Sequence, residues 1–464
     1  MLEPCPSDRG LDDALCGTLR VHEDRVSKTG RTIDLSIVVL PAHEAGAHAD
    51  PLFFLAGGPG QGAATLAPRL APMLAGVQRE RDVVLVDQRG TGRSGALDCE
   101  DARSDTLAEL GEPEEQTLAR LRSCLEKLDA DPRHYTTSVA MDDLDEVRAH
   151  LGYEKINLYG VSYGTRAALA YLRQHEAQVR SVVLDGVAPS FMGLPRSFGR
   201  DGQRALDALV AACEGDARCR EEHPRLGERI EALVRSLEAE PRAIELVHPR
   251  TAERVKLRVD ARIFVHVLYS ALYAPLVGAL LPEVIAKAEA GQFESLFALA
   301  LANEGAAGKL AIGMQLSVVC AEDASLPRVK QAGPKSAVFG DRLLDTLMRA
   351  CEFWPKGELP PGYHDPVRSS VPTLVLSGEL DPVTPPSWGE AVLPGLERAR
   401  HVILRSTGHG AMSTHCGRRL VREFVARGSA EALDASCAET IARPPFFAGP
   451  FGPDPSARPA GSLP

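Results

Sequence analysis

The sequence predicts an α/β fold: a mostly parallel, doubly wound sheet into which a mainly helical region is inserted. Three observations carry this. Short, continuous apolar runs lie between glycine- and proline-rich turns, as in Pro51 to Leu55, Asp82 to Val86, Ile156 to Tyr159 and Val179 to Leu184. Such runs suit strands buried on both faces of a parallel sheet. Helical periodicity separates them, with Ala140, Leu144, Val147 and Leu151 on one face and a second helix over Thr165 to His175. Strand–helix–strand repetition of this kind implies right-handed crossovers. From residue 190 to 366 helical patterns take over, and strand signals return only at Thr373 to Leu376 and His401 to Leu404.

Taken in order, Thr32 to Leu40 reads as the first strand, and residues 1–189 as the first part of the sheet core. Residues 190–366 are expected to form a mainly helical insertion, with helices over Gln203 to Ala212, Leu226 to Leu237 and Asp341 to Ala350. A small hairpin pairs Ala243 to Val247 with Val255 to Val259. Residues 367–443 complete the core and end in a helix over Arg418 to Arg427. Residues 444–464, rich in Pro, Gly and Ser, are expected to be irregular.

The chain has 464 residues, 44% hydrophobic and 25% charged, with a formal net charge of -11. That balance belongs to an ordinary globular protein. It argues against a nucleic-acid partner, because no basic stripe is present to displace counterions from phosphates. The most apolar stretch, Ile263 to Leu281, carries His266, Ser270, two tyrosines and Pro275. Two buried helices meeting at the proline suit it better than a membrane span, so no stable membrane insertion is expected. The first residues, Met1 to Cys5, lack the basic start and apolar run of a secretory signal. A mature exported form or a cytoplasmic protein would both look like this.

The ten cysteines fall into five neighbouring couples: Cys5 and Cys16, Cys99 and Cys124, Cys213 and Cys219, Cys320 and Cys351, Cys416 and Cys437. None makes a CxxC and none sits beside a histidine pair, so no metal site is expected. Local couples in even number suit short-loop disulfides of a secreted or periplasmic protein; the other reading is ten reduced thiols in a cytoplasmic core.

The chemistry centres on Gly160-Val161-Ser162-Tyr163-Gly164, directly after one strand and before a helix. There a serine is held in a sharp turn with its hydroxyl exposed and a helix N-terminus beyond it. A serine hydroxyl needs a base to take its proton. Downstream, the Thr373 strand runs into Ser377-Gly378-Glu379-Leu380-Asp381-Pro382, and the next strand into Ser406-Thr407-Gly408-His409-Gly410. Asp381 is the expected acid, ahead of Glu379, and His409 the expected base. The order Ser, Asp, His is that of serine hydrolases on such a sheet. An oxyanion hole is expected from the N–H of Tyr163 and that of Gly58, in the loop Gly57-Gly58-Pro59-Gly60-Gln61-Gly62. The turn Asp87-Gln88-Arg89-Gly90-Thr91-Gly92-Arg93-Ser94 is read as a support, with an arginine for a nearby acid.

GGPGQG, DQRGTGRS, GVSYG, GELDPVTPP and GHG, in this order, resemble the prolyl and tripeptidyl aminopeptidase family of α/β-hydrolase fold serine peptidases. Cys16-Gly17-Thr18-Leu19 and Val318-Val319-Cys320-Ala321-Glu322-Asp323 are similar to the tripeptidyl branch, which is generally exported. The resemblance implies Ser162, Asp381 and His409 as the triad, a cap over the site, and release of residues from peptide N-termini without a cofactor. One position departs: prolyl aminopeptidases usually carry His before GGPG, where this chain has Ala56. An exopeptidase must bind an α-ammonium group, and Glu322 and Asp323 are the candidate substrate-binding acids, an ordinary solvated acidic pair being the other reading. The expected partner is a small peptide, or a small ester if the chain is a carboxylesterase with the same triad. A binding protein without catalysis is disfavoured by the intact triad.

Overall fold

The computed structural model describes residues 2–447 apart from 7–9, 12, 45–47, 100–111, 249–251, 308–309, 328–337, 341 and 344, together with the side chains of 302–307 and 345. Nine strands form the main sheet: β1 (Glu3–Pro4), β2 (Leu15–His22), β3 (Thr32–Leu40), β4 (His48–Leu55), β5 (Arg81–Val86), β6 (Ile156–Val161), β7 (Val179–Asp185), β10 (Thr373–Gly378) and β11 (Ala399–Leu404). Their order is β1-β2-β3-β5-β4-β6-β7-β10-β11. From β5 to β11 every pairing is parallel, whereas β1, β2 and β3 run antiparallel to their neighbours.

The continuous apolar runs have a direct cause. Successive side chains of a strand point to opposite faces. Phe53, Leu55, Val84, Leu158, Val182 and Val375 build the core on one face of the sheet. Their neighbours Leu52, Phe54, Val83, Tyr159, Val183 and Leu374 build the core on the other. Helices Thr137–His150 and Tyr163–His175 cover the first face, while Ala67–Gln78 and His415–Arg427 cover the second.

Between β7 and β10 the chain is helical, beginning with the 22-residue helix Leu194–Gly215. Leu226–Ala239 follows, and then the antiparallel hairpin β8 (Arg242–Val247) and β9 (Arg254–Val259). The apolar stretch forms Ala261–Ala271, Pro275–Gly278 and Leu281–Glu289, with Pro275 and Pro282 each in a first turn, where a missing N–H costs nothing. No helix among the described residues is long and apolar enough to cross a membrane. These helices share a core of their own, including Leu209, Ile230, Phe264, Leu268 and Phe297. That core reaches Val383, beside the loop that follows β10.

Two helices of the sheet core, Ala67–Gln78 and Glu114–Lys127, lie where no periodicity was expected, the first with Pro72 inside it. The helix expected over Asp341 to Ala350 is described as Asp345–Ala350, Asp341 lying outside the described residues. Residues 441–447 have no regular element, and the rest of the expected tail also lies outside. All five cysteine couples are joined as disulfides: Cys5–Cys16, Cys99–Cys124, Cys213–Cys219, Cys320–Cys351 and Cys416–Cys437.

Candidate active site

Ser162 stands between β6 and the helix Tyr163–His175 with φ +57° and ψ -127°, a conformation L-residues rarely hold. The two glycines of the motif permit it. A Cβ on Gly160 would lie 2.2 Å from the Gly164 carbonyl oxygen, and one on Gly164 2.1 Å from that of Leu55. The turn is pinned from outside: Ser162 N–H donates to the Asp185 carbonyl at 2.9 Å, and Thr165 Oγ1 to the Ser162 carbonyl at 2.6 Å.

Asp381 lies three residues past the end of β10 with no solvent exposure. Its carboxylate accepts from Val383 N at 2.8 Å, Thr384 N at 2.9 Å, Thr384 Oγ1 at 2.7 Å and His409 Nδ1 at 2.8 Å. Burial pushes this carboxyl up, but the histidine and the converging N–H groups hold it below its ordinary value. Burial likewise pulls the His409 imidazole down; the Asp381 carboxylate, with a smaller part from Asp185, outweighs it and leaves the histidine raised. With Nδ1–H committed to Asp381, Nε2 is the atom left to accept a proton. The loop is braced by the helical region, since His409 N–H donates to the Tyr273 carbonyl at 2.9 Å and the two rings meet edge to face.

Gly186 joins the two halves of the site. It follows Asp185, whose carbonyl holds the serine turn. A Cβ added to Gly186 would lie 2.8 Å from Thr384 Oγ1 and 3.5 Å from both Asp381 Oδ2 and His409 Cε1. The serine turn and the Asp–His pair therefore converge on one dipeptide.

The glycine loop packs on the same turn, a Cβ on Gly57 falling 3.2 Å from Ser162 Cβ. Gly58 and Gly60 take φ of +110° and +112°, and the Gly58-Pro59 peptide is cis. The helical region rests on this loop: Ala311 N–H donates to the Gly60 carbonyl at 3.0 Å, and Leu310 Cδ2 would lie 3.1 Å from a Cβ on Gly58. Asp87 clamps it from below, accepting from Thr65 N, Thr65 Oγ1 and Arg93 N. Arg89 has its acid in Asp143, bound twice at 2.6 and 2.8 Å with neither side chain appreciably exposed.

Glu322 and Asp323 lie inside the protein, with partners of their own. Both have zero exposure, in a π-helical turn Val319–Asp323. Glu322 accepts from Thr137 N at 2.7 Å, Thr137 Oγ1 at 2.9 Å and the Tyr363 hydroxyl. Asp323 receives Arg166 at 2.9 Å and Leu194 N at 3.3 Å. Burial pushes Asp323 up to about 6, against the pull of Arg166. Arg166, on the helix that starts behind Ser162, stands between them: a buried guanidinium needs carboxylates, and this pair supplies them. Thr137 Oγ1 also bonds the Tyr163 hydroxyl at 2.8 Å, so the cluster supports the residue after the serine. Asp185, Arg166 and Thr384 carry no local sequence signal of their own; an acid ending an apolar strand is the one hint Asp185 offers. Among the described residues no group of three His, Cys, Asp or Glu could hold a metal ion.

Two family models match the chain: "alpha/beta hydrolase fold" over residues 50–220 and "TAP-like protein" over residues 336–437. Serine protease Hip1 of Mycobacterium tuberculosis is 28% identical over 411 residues, covering 80% of this chain and 77% of that protein. A tripeptidyl aminopeptidase of Streptomyces lividans is 29% identical over 203 residues, 40% of this chain and 37% of the other. A probable proline iminopeptidase of Streptomyces coelicolor is 31% identical over 180 residues, 37% and 44%. The chain has the α/β-hydrolase fold, is similar to the prolyl and tripeptidyl aminopeptidases of that fold, and is a hydrolytic enzyme.

Proposed function

We propose that the chain is a serine aminopeptidase that releases residues from the free N-terminus of short peptides through an acyl-enzyme on Ser162. The observation that carries this is the Asp381–His409 pair, 2.8 Å apart, meeting the serine turn at Asp185-Gly186. Ser162 Oγ attacks the scissile carbonyl carbon while His409 Nε2 takes its proton and returns it to the leaving amine. Asp381 holds the imidazole tautomer and balances the charge it gains. The N–H groups of Tyr163 and Gly58 receive the oxyanion, which the Tyr163 amide meets at the start of a helix. Water then attacks the ester carbonyl and frees Ser162. No step calls for a metal or an organic cofactor.

Residues 190–366 act as a cap that limits the site to chain ends; the seat of residues 310–311 on the glycine loop and of Tyr273 on His409 supports this. The names of the relatives favour peptides over esters. Glu322 and Asp323 serve the reaction from behind, by fixing Arg166 and Tyr163. Five disulfides support an oxidising compartment, and so an exported protein.

A panel of amino-acyl and tripeptidyl anilides, each with its N-acetylated twin, beside short-chain nitrophenyl esters tests the reading. Free-amine anilides are expected to exceed their acetylated twins in kcat/KM by about tenfold or more, the equivalent of one good polar contact. Turnover of esters alone would replace the peptidase with a carboxylesterase.

A further inference from the structure

We propose that Asp185 is a positioning residue for His409, tying the loop that bears the base to the turn that bears the nucleophile. It ends β7, has no exposure, and bonds in both directions. Its carbonyl accepts Ser162 N–H at 2.9 Å. Its carboxylate accepts Ala411 N–H at 2.8 Å and Met412 N–H at 3.2 Å, two and three residues beyond His409, and also the Tyr159 hydroxyl. Asp185 therefore touches the peptide carrying Ser162 with one atom and the segment leaving His409 with two others.

The chemistry asks for a carboxylate here. Three donors converge on two fully buried oxygens; an amide would turn its NH2 toward one of them and leave a buried donor unpaired. The charge has a second consequence. The groups facing the imidazole are Asp381, Thr384 Oγ1, the Tyr273 ring and Gly186, with Asp185 behind the following turn. Among the described residues, two guanidinium groups bond the loops around the pair: Arg204 donates to the Glu379 and Asp381 carbonyls at 3.0 and 2.7 Å, and Arg418 to the Met412 carbonyl at 2.9 Å. Burial raises the Asp185 carboxyl above its ordinary value, against the pull of the Ala411, Tyr159 and Met412 donors; in its ionised form it adds to Asp381 in favouring the charged histidine that forms as Ser162 attacks.

This rests on the triad reading above, which labelling by an organophosphonate, lost in Ser162→Ala, tests separately. The experiment for Asp185 is the pH profile of kcat and kcat/KM for Asp185→Asn, with Asn157→Ala as a control. Asn157 is buried at the far end of β6, bonded to Asp50 and Ser181 and remote from the triad. Asp185→Asn is expected to lower kcat about 10- to 100-fold, leave KM nearly unchanged and shift the acidic limb to lower pH. Asn157→Ala is expected to lower stability with the acidic limb in place. An Asp185→Asn enzyme with kcat within about threefold of wild type and an unmoved limb would overturn the proposal. Should Asp185→Asn fail to fold, Tyr159→Phe decides. It removes one of the three donors and is expected to lower kcat about three- to tenfold; wild-type kcat in that variant overturns the proposal equally.

Discussion

The guanidinium of Arg166 donates to the Asp323 carboxylate at 2.9 Å, and neither side chain has any solvent exposure. The same nitrogen reaches Glu322 at 3.4 Å, so one cation stands between two acids on the helix that begins behind the proposed nucleophile. Removing the cation alone leaves two uncompensated carboxylates. Arg166→Met is therefore expected to cost about 3–5 kcal/mol of stability, read as a fall in the urea midpoint.

Glu322→Gln separates support from substrate binding. The amide still accepts from Thr137 N–H but loses its charge beside Arg166. A loss of about 1–3 kcal/mol in unfolding free energy is expected. Its kinetic effect should be equal on free-amine peptides and N-blocked esters, because Glu322 acts through Thr137 and Tyr163. A rise in KM confined to free-amine substrates would restore it as an ammonium ligand.

The pH profile follows from the Asp381–His409 pair. The proposed base is neutral His409, whose pKa lies above the ordinary histidine value, so kcat/KM should fall as pH drops through that raised pKa. In Asp381→Asn the carboxylate no longer offsets burial. The acidic limb should move to lower pH while kcat falls by about 10^4. A limb that stays in place in the variant contradicts the pairing.

Cys320–Cys351 closes a loop of sequence separation 31, and Cys320 lies two residues before Glu322. Replacing both cysteines with alanine is expected to lower stability by about 3–4 kcal/mol and to lower kcat as well, since the turn holding Arg166 loses its tether. Thermal unfolding and initial rates on the same sample test both parts.

Gly164→Ala has the sharpest steric prediction. Its Cβ would stand 2.1 Å from the Leu55 carbonyl oxygen, in the backbone of β4, which cannot yield as a flexible side chain would. Activity should be lost, with stability lower by more than about 3 kcal/mol.

Much of this was legible in the sequence because it is local. Buried parallel strands announce themselves as apolar runs, as β4 to β7 and β10 do, while β11, at the sheet edge, shows one only over Val402 to Leu404. Ser162 is marked by glycines at both sides, and Asp381 and His409 by loops that follow strands. β2 escaped because it lies near the sheet edge with most residues half-buried or exposed, so Leu15 to His22 shows no continuous run. The Ala67–Gln78 helix was masked by its two prolines. Glu322 and Asp323, two acids after an apolar segment, look available to a substrate in the sequence, whereas the structure buries both. Their partner Arg166 lies 156 and 157 positions away, a distance across which sequence pattern carries no information. Asp185 belongs to the same class, its partners Ala411 and Met412 being 226 and 227 positions away.

The central claim is that Ser162 is the nucleophile of a triad with Asp381 and His409. Reaction with an organophosphonate followed by mass mapping of the modified peptide tests it most directly. The account predicts one adduct, on Ser162, abolished in Ser162→Ala and formed far more slowly in His409→Ala. An adduct on another serine, or one that persists in Ser162→Ala, would contradict it.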